Sequence, residues 1–145
     1  MVSIAESAAK RRRELSREWL TASQAGILLG ARTVDDAAAQ VMRERRDGRV
    51  LGVWVPSEQD YRYPPWQFRS DGTAVQELSD ILTILREHGG VIDHGRRISG
   101  WNEIEWFMTP HVLLRGRTPI ELLATCPVDV VAAARTEFIE ERAQW

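Results

Sequence analysis

Residues 21–55 read TASQAGILLGARTVDDAAAQVMRERRDGRVLGVWV, and this stretch decides the fold. Thr21-Ala22-Ser23-Gln24 has the spacing of a capping box, in which two side chains reciprocally satisfy backbone groups of a first helical turn. It opens a short helix whose Ala25, Leu28 and Leu29 share a face and which stops at Gly30. Thr33 then caps a longer helix, Val34 to Arg46, in which Val34, Ala37, Ala38, Val41 and Met42 recur at helical spacing. After Asp47-Gly48 the pattern changes to Val50-Leu51-Gly52-Val53-Trp54-Val55, rich in β-branched and aromatic residues. The turn set Pro56 to Asp60 and then Tyr61-Arg62-Tyr63 complete a β-hairpin, ended by Pro64-Pro65, with Trp66-Gln67-Phe68 as a short continuation. Two short helices followed by a hairpin predict a helix-turn-helix with a small wing.

Outward from this unit the chain is helical. Ser3-Ile4-Ala5-Glu6 is a further capping box and predicts a helix over 4–18, its Lys10 to Arg13 run solvated. Val75, Leu78, Ile81, Leu82 and Leu85 place a helix over 74–88, stopped by Gly89-Gly90; residues 91–99 have no clear period. Trp101, Ile104, Glu105, Phe107 and Met108 fit a short helix ended at Thr109-Pro110, since proline disfavours α geometry in the residue before it. Thr118-Pro119-Ile120-Glu121 joins a capping box to a proline at the first helical position and starts a helix over 119–124. Pro127 begins a last helix reaching about Arg142. The expected architecture is mainly α. Its two parts are a winged helix-turn-helix over 1–70 and a helical domain over 71–145.

At 145 residues the chain is long enough to bury a core without metal or disulfide staples, and its single cysteine, Cys126, has no internal partner. The longest apolar stretch, Val50 to Val55, is far short of a membrane span, and no apolar run follows Lys10 to Arg13 to make a secretory signal. A cytoplasmic location is expected. Up to residue 52 there are ten Lys and Arg against seven Asp and Glu, and thereafter nine against fourteen. A basic front and an acidic back suit nucleic acid on one side and protein on the other.

Catalytic signatures are thin. His88, His94 and His111 fall on unrelated elements, Cys126 has no nucleophile motif around it, and no Gly-rich phosphate loop or paired metal-ligand spacing occurs. Asp93-His94 could orient an imidazole, but no nucleophile accompanies it. No catalytic residue, cofactor or metal is assigned, and an enzyme is the least favoured reading.

Binding is better represented. In a helix-turn-helix the second helix presents its first turns to base edges while flanking cations hold phosphates. The DNA-facing set here is Arg32, Thr33 and Gln40 near that end, with Arg43, Arg45, Arg46 and Arg49 at the helix end and wing root and Arg62 across the hairpin. Asp35 and Asp36 in the first turn oppose phosphate approach, and the competing reading is a core with a solvated arginine face. Six tryptophans allow both a core and a partner surface, since Trp is enriched in each.

Trp101-Asn102-Glu103-Ile104-Glu105-Trp106-Phe107-Met108-Thr109-Pro110, Leu113-Leu114-Arg115-Gly116-Arg117-Thr118-Pro119-Ile120-Glu121-Leu122-Leu123 and Val130-Val131-Ala132-Ala133-Ala134 together carry a resemblance. They resemble the toxin-binding domain of Xre/MbcA/ParS-type antitoxins, with its Trp-containing helix, G-x-T/S-P box and Val/Ala-rich last helix. The match covers roughly 74–142. Leu20-Thr21 to Leu29-Gly30, Gly48-Arg49-Val50-Leu51 and Arg62-Tyr63-Pro64-Pro65-Trp66-Gln67-Phe68 are similar to the front of antitoxin relatives. The resemblance implies a non-enzymatic antitoxin that covers the active site of a cognate toxin, often an NAD-consuming RES-type protein, and whose front module binds the operon's promoter.

On that reading the toxin-binding surface centres on Leu114, Arg115, Gly116, Arg117, Thr118 and Pro119, with Glu137, Glu140 and Glu141 pairing arginines of the toxin. A homodimer is expected through the C-terminal half, with Trp101, Ile104, Trp106 and Phe107 at its face. The alternative is a helix-turn-helix transcriptional regulator with no toxin partner.

Overall fold

In a computed structural model that describes residues 3–88 and 99–140, the chain is mainly helical with one small antiparallel hairpin. The α-helices are α1 (Ile4–Ser16), α2 (Ala22–Leu28), α3 (Val34–Arg46), α4 (Leu78–His88), α5 (Trp101–Met108), α6 (Pro119–Leu123) and α7 (Pro127–Arg135). The strands are β1 (Val53–Val55) and β2 (Asp60–Arg62), registered so that Trp54 faces Tyr61. The expected stop at Gly89-Gly90, the segment with Asp93 and His94, and Glu141 and Arg142 lie outside the described residues.

Local chemistry sets the helix starts. Ser3, Thr21 and Thr118 each accept from the backbone three residues on while Glu6, Gln24 and Glu121 reach back, so the three capping boxes read from sequence all form. Thr33 caps α3 by accepting from Asp36 N. α2 and α3, linked through Leu29–Thr33, pack in close approach. An ideal Cβ on Gly26 would stand 2.1 Å from the Ala37 carbonyl oxygen, so only glycine permits this crossing. Gln40 donates across the link to Leu29 O at 3.4 Å.

Two expected helices are shorter than their hydrophobic period. α4 begins at Leu78, not Ala74, because Ala74 bridges Phe68 and Val75 N donates to Gln67 O at 2.9 Å. Pro65–Gln67 is a 3-10 turn, not a continuation of the hairpin. The α geometry of α7 ends at Arg135, and Thr136–Glu140 widens into a π-helical turn. Such a turn shifts the faces of the residues that follow it, and here Phe138 and Glu137 are carried onto Trp106.

The main core crosses the boundary expected near residue 70. Trp19, Leu51, Val53 and Val55 from the front pack with Leu78, Ile81, Leu82, Trp101, Phe107, Leu123 and Val130 from the back. Full burial of each large apolar side chain is worth about 1.5–3 kcal/mol, so each part contributes to the stability of the other. A smaller cluster of Ala25, Val41, Val50 and Tyr63 anchors α2 and α3 to the hairpin. Between the parts, Gly100 at φ +82° brings α5 against the hairpin root: an ideal Cβ there would lie 2.0 Å from Gly52 O. Trp54 N donates to Ser99 O at 2.8 Å beside it.

Candidate functional site

The surface of interest starts at the C-terminus of α5. His111 forms a bridge with Arg117, and the five residues between them fold into a compact turn in which Val112–Leu114 is 3-10. Arg115 is left-handed at φ 59° and Gly116 at φ 82°. A left-handed non-glycine residue costs about 1–2 kcal/mol. Leu114 alone is buried and pins the turn, while Arg115 projects outward with no side-chain partner among the described residues. Arg117 lies at 3.3 Å from Glu121, a solvated pair. Thr118 and Pro119 start α6 and so fix where the turn ends.

This turn forms one wall of a groove of about 480 Å³ whose other wall is α7. Arg115, Arg117, Leu113, Leu122, Asp129 and Thr136 line it. Of its apolar lining, Leu113 is 44% exposed, and Val112 and Val128, each next in sequence to a lining residue, are 94% and 68% exposed. The groove thus combines two guanidinium groups with an apolar rim, which is the composition of a protein-binding surface.

The acidic end of the last helix does not belong to this surface as a free cluster. Glu137 accepts the Trp106 indole N–H at 2.8 Å and lies 3.9 Å from His111 Nδ1. His111 Nε2 is 2.9 Å from Trp106 O and, since a carbonyl only accepts, is the donor in this contact. Trp106, His111 and Glu137 therefore close on one another and rivet the π-helical turn to α5. Glu140 accepts from Thr136 Oγ1 at 3.2 Å. The expected triple-glutamate charge is corrected on this point: its first member is an internal hydrogen-bond acceptor.

The dimer face expected from sequence is also corrected. Trp101, Ile104, Trp106 and Phe107 are all buried within the protomer, Phe107 completely. Trp101 stacks on Trp19 at 6.1 Å, donates to Trp54 O and lies under the Arg12 guanidinium at 5.4 Å. These side chains are spent mainly on the protomer's own core.

The DNA-facing set divides into committed and uncommitted cations. Arg62 makes a two-point pair with Glu58, both contacts 2.8 Å, and donates to Trp19 O. The same pairing holds the Glu58 carboxyl below its usual range and raises Arg62 further. Arg49 is held by Glu44 at 2.8 Å and Asp47 at 2.9 Å. Arg45 stacks over the Tyr61 ring at 3.7 Å. Of this set, Arg32, Arg43 and Arg46 remain exposed and have no partner among the described residues, with Thr33 occupied as a cap and Gln40 as a link clasp.

Sequence reasoning missed several polar residues that hold the frame. Gln67 is fully buried and binds the Leu51 backbone with both ends of its amide. Glu103 is 1% exposed and meets Arg86 Nε at 3.4 Å, with its second oxygen unpartnered. No local signal marks either one, because their partners lie 16 and 17 residues away. Among the described residues no group of three or more His, Cys, Asp or Glu side chains could hold a metal ion, and no helix is long and apolar enough to cross a membrane. No protein-family model, curated protein or solved structure matches the chain.

Proposed function

We propose that the chain is a capture protein of the antitoxin type, which neutralises a toxin by covering it through the groove between the Leu114–Pro119 turn and α7. One observation carries the reading. Arg115 occupies a left-handed position where glycine would be cheaper, and its side chain has no partner among the described residues. Backbone strain kept for an idle side chain points to a use outside the protomer. Arg115 and Arg117 beside an apolar rim suit a partner segment that carries carboxylates next to apolar side chains. The electrostatics are thus the reverse of the glutamate-led contact expected from sequence.

Promoter binding by α2 and α3 is the part of the antitoxin reading that the geometry supports least. Arg45, Arg49 and Arg62 are occupied by Tyr61, Glu44 with Asp47, and Glu58, and Asp35 and Asp36 stand exposed at the end that would meet the groove.

The test is co-expression of the full chain with the product of the neighbouring reading frame, scored by rescue of growth and by co-purification. Wild type is expected to do both. Arg115→Glu with Arg117→Glu is expected to lose both while keeping its thermal midpoint. Full rescue and capture by that variant would reject the groove as the capture surface.

A further inference from the structure

We propose that the exposed face of α3 is a self-recognition surface, on which a second copy of this chain docks antiparallel about a two-fold axis. Asp35, Ala39, Met42 and Arg46 follow one another at spacings of four, three and four, the seam spacing of paired helices. All four are exposed, Met42 by 39%. Asp36 and Arg43 flank the same line. The order along the seam is acid, small, apolar, base, and it is self-complementary only when reversed. An axis between Gln40 and Val41 sets Asp35 of one copy against Arg46 of the other, and Ala39 against Met42. Asp36 and Arg43 then meet across the side of the seam. Both ends repeat the same contacts, as an isologous interface requires.

Two further observations favour a second copy as the occupant. Asp35, Asp36, Arg43 and Arg46 make no side-chain ion pair or hydrogen bond among the described residues, whereas Arg49, Arg62, Arg86 and Arg117 each have a carboxylate of their own. Seven residues separate Asp36 from Arg43 and eleven separate Asp35 from Arg46, about 10 and 16 Å along the axis at ~1.5 Å per residue, so no pair closes within the helix. Ala39 at the centre, beside Ala38, leaves room for close helix approach around Met42. A duplex meets the opposite condition on this face, since its phosphates are repelled by the acidic half. This surface is separate from the capture groove, and its failure would leave that proposal standing.

The experiment is sedimentation of the full chain from roughly one to a few hundred micromolar, the range in which a small interface of this kind associates. Wild type is expected to dimerise, more weakly at high salt. Asp35→Arg with Asp36→Arg, and separately Arg43→Glu with Arg46→Glu, are each expected to raise the dimer dissociation constant by about tenfold or more. An equimolar mixture of the two variants should restore association to at least the wild-type level, which misfolding of either could not produce. Monomeric wild type throughout the range, association unchanged in both variants, or no restoration on mixing would overturn the proposal. So would loss of duplex binding in Arg43→Glu with Arg46→Glu at unchanged association, which would assign the face to nucleic acid.

Discussion

Gln67 pairs with Leu51 as a neighbouring strand would: its Oε1 accepts from Leu51 N at 2.7 Å and its Nε2 donates to Leu51 O at 2.8 Å. The same Nε2 donates to Pro64 O at 3.0 Å. A side chain here does the work of a missing third strand at the root of the hairpin, where both groups of Leu51 are buried away from water.

Gln67→Leu keeps the volume and removes both bonds to Leu51, stranding a buried N–H and two carbonyls. The expected loss is about 3 kcal/mol, since each unmet buried group costs about 1–3 kcal/mol. Urea unfolding with an unchanged slope and a lowered midpoint is the outcome to look for.

Gly100→Ala and Gly26→Ala should both destabilise by about 2 kcal/mol or more, because each new methyl meets backbone that cannot step aside. Gly100 suffers twice, through the clash with Gly52 O and through its positive φ. Gly30→Ala is the control: it has the φ penalty with open space around the Cβ, so its loss should stay near 1 kcal/mol.

Arg115→Gly is expected to leave the fold unchanged or to stabilise it by up to about 1 kcal/mol, since the left-handed turn no longer holds a Cβ. Capture of the partner proposed for the groove should fall at the same time. A variant that loses stability instead would mean that the Arg115 side chain supports its own turn.

The Trp106–Glu137 bond calls for a double-mutant cycle. Trp106→Phe and Glu137→Ala should show a coupling of about 1.5 kcal/mol, the low end of the range for a hydrogen bond to a charged group, because Glu137 is partly exposed. Additive losses would show that the π-helical turn is held by Phe138 packing alone.

Two groups set the pH limits of the hairpin, with opposite signs. Glu58 is held below its usual range by Arg62, so its contribution is present above the ordinary carboxylate range and disappears as pH falls through its folded value. Burial raises the Tyr63 phenol, so its contribution is intact below the ordinary tyrosine range and disappears as pH rises beyond it. Glu58→Gln should flatten the acid side of the thermal-midpoint profile, and Tyr63→Phe the alkaline side.

Much of the secondary structure was legible because its causes are local. Ser3 with Glu6, Thr21 with Gln24, and Thr118 with Glu121 lie within one turn of their partners, and α3 occupies the interval its period and its Thr33 cap define. The hairpin turned at Pro56–Gln59 follows from short-range chemistry in the same way. What only the tertiary structure decided are the fates of side chains whose partners lie far along the chain. Arg62 reads as a phosphate contact until Trp19 O and Glu58 take its guanidinium, and Glu137 reads as free charge until the π-helical turn sets it on Trp106. Trp101 and Phe107 are apolar enough for an interface or a core, and the choice is made by Trp19, Leu51 and Val53, which arrive from the other end of the chain. Composition fixes how much apolar surface must be covered, but which surface covers it depends on packing across long sequence separations, and no periodicity encodes that.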